Sequence, residues 1–330
     1  MSRHPFGTIG VLMGGYSSER EISLRSGHAV ADALSQEGHR VVSLDITTDD
    51  PAGIIRQIQE TPLDIAFIAL HGRLGEDGII QGILEKLDIP YTGSGVAPSQ
   101  IAFNKILTQK ALQSAGLPVA AHYCITDGRN VDFKTVWAQI KSTPLVVKPA
   151  CEGSSIGVHI VRHPSEWEQS LKDALSYGPQ VIIEEFIQGR EFTAGIFDRE
   201  VLPLVEICPN SNFFSFAAKY QKGETKYICP AQVPEKLTRE IKELSLNAVE
   251  VLGCEGFSRV DLRVDDNEQP FILEVNTIPG FTGTSLFPKA AREAGYSFVQ
   301  VCEKLLSLAL KSTQPNDEQG AGNLGKEIQR

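Results

Sequence analysis

Four residues near the C-terminal end combine charge and spacing that could do chemistry: Arg259 and Asp261 in RVDLRV, and Glu274 and Asn276 in ILEVN. Side chains alternate faces along a strand. Arg259 and Asp261 therefore share one face of an expected strand at 259–264, and Glu274 and Asn276 share one face of a second at 271–276. A turn centred on Asn267 and Glu268 places Asp261 opposite Glu274 and Arg259 opposite Asn276, with Val260, Leu262, Leu273 and Val275 on the apolar faces. Like charges directly opposite on paired strands are unfavourable, so two carboxylates and an amide on one face need a cation. Hard oxygen ligands of this kind suit Mg²⁺, which usually also takes phosphates into its shell. The plain alternative is a half-solvated hairpin with ordinary outward polar residues. Against it stand the Gly/Pro/Thr-rich loop that follows at 276–285, of a type that binds ligands, and the lysines and glycine-rich segments upstream.

The elements that must position these groups can be read from the rest of the chain. Its 330 residues suggest two or three domains with a large buried core. Apolar residues make up 42% and charged residues 22%, as in an ordinary soluble protein. A net charge of −10 argues against a nucleic-acid partner. No apolar run approaches membrane-spanning length, and the short one at 8–13 leads into Gly14-Gly15 and charged residues, as a first strand does rather than a signal peptide. The six cysteines are scattered with no CxxC pair, which favours reduced thiols in a cytoplasmic protein over disulfides or structural zinc.

The strand at 8–13, the Gly14-Gly15 turn and a helix opened by a capping box (Ser18 at the N-cap, Glu21 three residues on) form an anion-receptive corner, with Glu19 and Ser23 at its mouth. Ile22, Val30, Ala33 and Leu34 continue as the helical stripe. Strands at 40–46 and 64–70 suit a parallel sheet covered on both faces. The second of these ends at His71, and ligands in open α/β sheets bind beyond the carboxyl ends of strands. A helix at 98–116 carries Lys105 and Lys110. A strand ending in Lys148, the loop Pro149-Ala-Cys-Glu-Gly-Ser-Ser-Ile-Gly157 and a further strand offer backbone N–H groups for phosphates. The strand at 181–186 ends in VIIEEF, whose acidic residues, like Glu191 beyond it, are either solvated or accept from a ribose or a base. The aperiodic, aromatic-rich stretch at 208–230 fits a lid that orders over a substrate. The polar stretch at 313–330 is expected to be a disordered tail.

Taken in order, these segments resemble the D-alanine–D-alanine ligase family of the ATP-grasp superfamily. The resemblance rests on GGYSSEREISLRSG at 14–27, ALHGRLGEDGIIQGILE at 69–85, YTGSG at 91–95, VVKPACEGSSIGV at 146–158, KYQKGETKY at 219–227, RVDLRV at 259–264 and EVNTIPGFTGTSL at 274–286. It implies an α/β (α+β) three-domain ATP-grasp fold: a Rossmann-like N-terminal parallel-sheet domain at 1–97, a central subdomain at 98–187 and a C-terminal domain at 188–312. It implies two D-alanines and ATP as substrates, two Mg²⁺ (or Mn²⁺) ions, K⁺ activation as in many relatives, and a homodimer.

By the same resemblance, Glu19 engages the ammonium of the first D-alanine, and Ser154 and Tyr220 complete a hydrogen-bonded group with it. His71 stands near that substrate. Arg259 and the backbone of Gly280 stabilise the developing oxyanion, and Ser285 and Leu286 bind the second carboxylate. Asp261, Glu274 and Asn276 hold the metals. Lys105, Lys148, Ser155 and Lys219 match positions around ATP. Glu184, Glu185, Phe186 and Ile187 resemble the hinge that reads adenine, Glu191 the ribose contact, and Phe213 packs near the base. The chain departs from the family in the lid, where Phe213-Phe-Ser-Phe-Ala-Ala replaces the usual acidic-aromatic run.

Three alternatives fit the sequence less well. A D-alanine–D-lactate ligase is disfavoured by Tyr220, and a D-alanine–D-serine ligase less decisively so, since discrimination against one extra hydroxyl can be weak. A nicotinamide dehydrogenase lacks its three-glycine fingerprint at the first corner. A non-catalytic nucleotide-binding relative would have lost metal or oxyanion residues, and they are present.

Overall fold

The computed structural model describes residues 5–209 and 225–312. The sequence folds first into β1 (Thr8–Gly14), α1 (Arg20–Gln36), β2 (Arg40–Ile46), α2 (Pro51–Gln59), β3 (Ile65–Ile68) and α3 (Ile79–Lys86). The three strands form a parallel sheet in the order β2-β1-β3. The run TIGVLMG is buried along its whole length, as a central strand with covered faces requires.

The expected capping box is not formed. Glu19, not Ser18, sits at the N-cap of α1, and it makes no side-chain cap. Ser18 and Glu21 are exposed. The reason lies in the tertiary contacts: Ser17 Oγ donates to the His71 carbonyl at 2.8 Å and accepts from the Glu19 N–H at 3.2 Å, which turns the Glu19 side chain inward. The buried face of α1 keeps Val30 and Leu34 of the expected stripe, but Ile22 and Ala33 are only half-buried, and Ser23, Ser26, Gly27 and Ala31 complete the face.

Next come α4 (Val96–Phe103), α5 (Lys105–Ser114), β4 (His122–Ile125), α6 (Phe133–Ile140), β5 (Leu145–Pro149), β6 (His159–Val161), α7 (Trp167–Ser176) and β7 (Val181–Glu185). The strands form an antiparallel sheet in the order β4-β7-β5-β6 over a core that includes Val147, Trp167 and Ile183. The single helix expected at 98–116 is two helices. Asn104 is extended (φ −91°, ψ 104°), and its side chain accepts from the Ile106 and Leu107 N–H groups to start the second helix. The break makes Lys105 the first residue of α5 and buries it. Asn104→Ala should cost about 1 kcal/mol, the usual worth of an N-cap. The check is a lowered urea midpoint at unchanged slope, with Asn104→Asp closer to wild type.

The remainder is β8 (Arg190–Phe197), β9 (Glu200–Val201), β10 (Val205–Pro209), β11 (Thr225–Ile228), α8 (Glu235–Leu252), β12 (Phe257–Val264), β13 (Pro270–Asn276), α9 (Leu286–Glu293) and α10 (Phe298–Ser312). The order β11-β10-β8-β12-β13 is antiparallel throughout, and β9 pairs with β8. The expected register holds at the polar end of the hairpin: Asp261 pairs with Glu274 and Arg259 with Asn276. It shifts by one toward the turn, where Leu262 pairs with Ile272. This bulge corrects the expected apolar face. Ile272 enters the core at 0% exposure, and Leu273 turns to the polar side.

Phe281 ties the first and third sheets together. Its ring centroid lies 5.6 Å from that of Phe67, 5.7 Å from Phe257 and 5.2 Å from Phe298. The helix α10 packs Val301, Cys302, Leu305 and Leu306 into the same core. The polar loop after β13 thus hangs from a buried aromatic anchor rather than running free. All six cysteines are free thiols, and no helix among the described residues is long and apolar enough to cross a membrane.

Candidate active site

The polar face of the β12–β13 hairpin lines one cavity with Glu19, His71, Ser154, Gly280, Ser285 and Leu286. Neither carboxylate of the facing pair stands alone. Arg259 donates to Asp261 through Nε and a terminal nitrogen, both at 2.8 Å, and Thr193 Oγ1 donates to it at 2.6 Å. Lys105 Nζ lies 3.3 Å from Glu274 and donates to the Glu152 carbonyl at 2.6 Å. Burial, the largest single influence, pulls the Lys105 ammonium pKa down, but Glu274, together with Cys151 and Glu76, outweighs it and the net direction is up. The sequence-level demand for a cation is thus met within the chain by Arg259 and Lys105.

No group of three or more His, Cys, Asp or Glu side chains forms a metal cluster among the described residues. The donor set here is two carboxylates and the Asn276 amide on one cavity wall. That set of hard oxygens fits a Mg²⁺ whose shell is completed by phosphates, and does not fit a closed all-protein site.

Glu19 is caged. Ser154 Oγ donates to its Oε1 in a short hydrogen bond. A Cβ on Gly153 would lie 2.6 Å from Glu19 Oε2, and one on Gly72 would lie 2.9 Å from it. Only glycine at both positions lets the carboxylate into this corner. Ser23 has a structural part instead: it accepts from the Gly14 N–H at 2.9 Å and donates to the Ala69 carbonyl at 2.8 Å.

A second cavity is lined by Lys148, Ser155, Glu184, Glu185, Phe186, Ile187 and Glu191. It shares Lys105, Glu152, Asp261 and Glu274 with the first. The two are therefore contiguous, and the carboxylate pair stands at their junction. Lys148 Nζ and Glu184 Oε2 are 2.7 Å apart, with both side chains under 10% exposed. Among the described residues the buried Glu184 Oε1 has no hydrogen-bond partner, so it offers this cavity an acceptor.

Every expected site residue that is described lines one cavity or the other. Tyr220, Lys219 and Phe213, with most of the expected lid, lie outside the described residues, as does the tail at 313–330. Sequence reasoning passed over several lining residues, among them Glu76 in the first cavity, Glu152 in both, and Arg263 and Leu273 in the second. Arg263 lies over the Phe186 ring at 4.9 Å, donates to the Gly189 carbonyl at 2.6 Å and pairs with Glu191 at 3.4 Å. Burial lowers its guanidinium, with Glu191 opposing. Its place two residues beyond Asp261, on the same strand face, was the available signal.

Known proteins match most of the chain. The family model described as D-ala D-ala ligase C-terminus matches residues 111–307, and that described as D-ala D-ala ligase N-terminus matches 49–94. The chain is 48% identical over 305 residues to the D-alanine--D-alanine ligase of Desulforudis audaxviator, covering 91% of this chain and 98% of the relative. It is 45% identical over 308 residues to that of Geotalea uraniireducens, covering 93% and 97%. Its fold matches the crystal structure of D-alanine--D-alanine ligase from Bacillus anthracis with a TM-score of 0.83 at 34% identity, over 93% of this chain and 98% of that one. A structure of the same ligase complexed with ATP matches with a TM-score of 0.81.

Proposed function

The chain belongs to the D-alanine–D-alanine ligase family, and from that premise we propose how its two joined cavities carry the reaction. It has the ATP-grasp fold and is an ATP-dependent, ADP-forming ligase that joins two D-alanines for peptidoglycan synthesis. The D-lactate and D-serine readings are not favoured by these relatives. ATP and a divalent metal are required. We take the metal to be Mg²⁺ or Mn²⁺, with K⁺ as an activator, and the active form to be a cytoplasmic homodimer. The three sheets are taken as the centres of domains at 1–97, 98–187 and 188–312.

The observation that carries the mechanism is the carboxylate pair at the junction of the two cavities. ATP lies in the second. There Glu184 and Glu185, with the Phe186 and Ile187 backbone, meet the base, Glu191 the ribose, and Lys148, Lys105 and the Ser155 loop the phosphates. Lys219 and Phe213 are assigned to the same side. Asp261, Glu274 and Asn276 would hold the metal ions, which when bound neutralise phosphate charge.

In the first cavity Glu19, held by Ser154 and with Tyr220 assigned to the same group, takes the ammonium of the first D-alanine above His71. Its carboxylate oxygen attacks the γ-phosphorus, and the bond to the β-phosphate oxygen breaks to release ADP. Ser285, at the N-cap of α9, and the Leu286 backbone hold the second carboxylate. The second amine attacks the acyl carbon of the acyl phosphate. Arg259 and the Gly280 N–H stabilise the tetrahedral oxyanion. The carbon–oxygen bond to phosphate then breaks, orthophosphate leaves, and the amine loses its proton.

The test is phosphate release from ATP and Mg²⁺ with D-alanine, L-alanine, D-serine and D-lactate, each alone and paired with D-alanine, with products identified by mass. D-alanine-dependent release with D-alanyl-D-alanine as sole product is expected. A mixed ester or D-alanyl-D-serine product would overturn the specificity, and no release at all would overturn the reading.

A further inference from the structure

Beneath the Glu19 corner, one line of contacts joins two parts of the chain that the reaction must keep in step. Ser26, on the inner face of α1, is fully buried at 0% exposure. Its Oγ accepts from the Phe281 N–H at 3.2 Å and lies 3.1 Å from His71 Nε2. Among the described residues the hydroxyl has no other acceptor, so it donates to Nε2 and the ring proton is assigned to Nδ1. Nδ1 faces Glu76 Oε1 at 3.7 Å, beyond hydrogen-bond length, and the same oxygen accepts from the Gly72 N–H at 3.0 Å. Burial, foremost, and the neighbouring Glu19 push the Glu76 carboxyl up against the pull of His71 and the Gly72 amide.

Each end of this line touches machinery. Gly72, which Glu76 holds, is one wall of the cage around Glu19. Phe281 follows Gly280. The aromatic cluster fixes where the Phe281 ring lies, but ring contacts tolerate sliding and rotation. A directional bond to the Phe281 N–H fixes the peptide plane after Gly280, and so anchors the turn that carries the Gly280 N–H.

We propose that Ser26, acting through His71 and Glu76, is a positioning residue that holds the Gly280–Phe281 turn in register with the floor of the first-substrate pocket. The acyl group and the donors aimed at its oxyanion then share one frame. This rests on the ligase reading above. It also recasts His71: both ring nitrogens face protein groups, so the imidazole acts as a link in the floor.

Ser26→Ala in the full chain should lower kcat about tenfold, the worth of one buried hydrogen bond of about 1.4 kcal/mol. The KM for ATP should be unchanged, because the nucleotide cavity shares none of these contacts. Glu76→Ala should act similarly, and the double variant should fall little below the worse single one, as residues on one line do. Ser26→Cys, which nearly preserves volume, replaces Ser26→Ala if that variant fails to fold. A hundredfold loss in the double variant would show independent sites and overturn the proposal. So would equal losses in kcat and ATP affinity with a lowered Tm, which mark a scaffold residue.

A second readout needs no turnover. ¹⁵N NMR of histidine in the ligand-free chain, with His71 assigned by His71→Gln, should show a protonated Nδ1 and a bare Nε2. A protonated Nε2 in an active enzyme would sink this proposal alone. An inactive wild-type chain would sink the ligase reading and this role with it.

Discussion

Replacing Arg259 by alanine should slow turnover about 10³-fold, some 4 kcal/mol, while the KM for ATP stays within a few-fold of wild type. The magnitude follows from where the guanidinium acts. An interaction made mainly in the transition state lowers kcat and kcat/KM together when it is removed. The ligand-free geometry sharpens this expectation. Arg259 is held by two parallel hydrogen bonds to Asp261, with its side chain 16% exposed, so it is already ordered on the cavity wall to which the proposal assigns the oxyanion. Little has to be reorganised for it to act. Arg259→Lys should recover only a small part of the loss, because an ammonium cannot reproduce the fork that engages two oxygens at once. Steady-state kinetics with each substrate varied in turn decide the matter. An equal fall in ATP affinity and rate would make Arg259 a ground-state ligand and remove it from the oxyanion role.

Lys148→Met should destabilise the fold by about 3–5 kcal/mol, because it strands the Glu184 carboxylate in the interior. The two side chains are 8% and 4% exposed, and among the described residues Glu184 Oε1 already has no hydrogen-bond partner. Breaking a buried pair on one side is far costlier than replacing both members. Lys148→Met combined with Glu184→Gln should therefore regain most of the lost stability while ATP binding stays weak. Urea unfolding and nucleotide titration separate the two effects. A single variant as stable as wild type would show that water reaches Glu184. A double variant that binds ATP normally would remove the pair from the nucleotide site.

The hairpin was legible because period-two alternation is strict. Once the turn was placed, Asp261 had to face Glu274 and Arg259 had to face Asn276, and they do. The bulge was not legible. Nothing in FILEV says whether Ile272 or Leu273 is the better core residue, since both are apolar and the choice depends on what packs against β13. The break at Asn104 was hidden for a related reason. Helical periodicity continues on both sides of it, and a cap inside a continuous stripe reads like one more polar residue. Ser18 carried a capping signal that lost to a tertiary contact, because Ser17 found the His71 carbonyl in another segment. Glu76 and Ser26 were passed over because a carboxylate or hydroxyl in a helix or loop is usually solvated.

The sequence alone determined the alternation of elements, the residue types of the site and the family to which the chain belongs. These follow from local periodicity and from motifs whose spacing survives in one dimension. Only the tertiary structure decided which groups meet. Glu19 and Ser154 are 135 positions apart and share a hydrogen bond; Ser26 and Phe281 are 255 apart and share another. Contacts of that range are set by how three sheets and an aromatic cluster pack against one another. The packing energy is spread over many apolar residues, and no single motif in the chain records it.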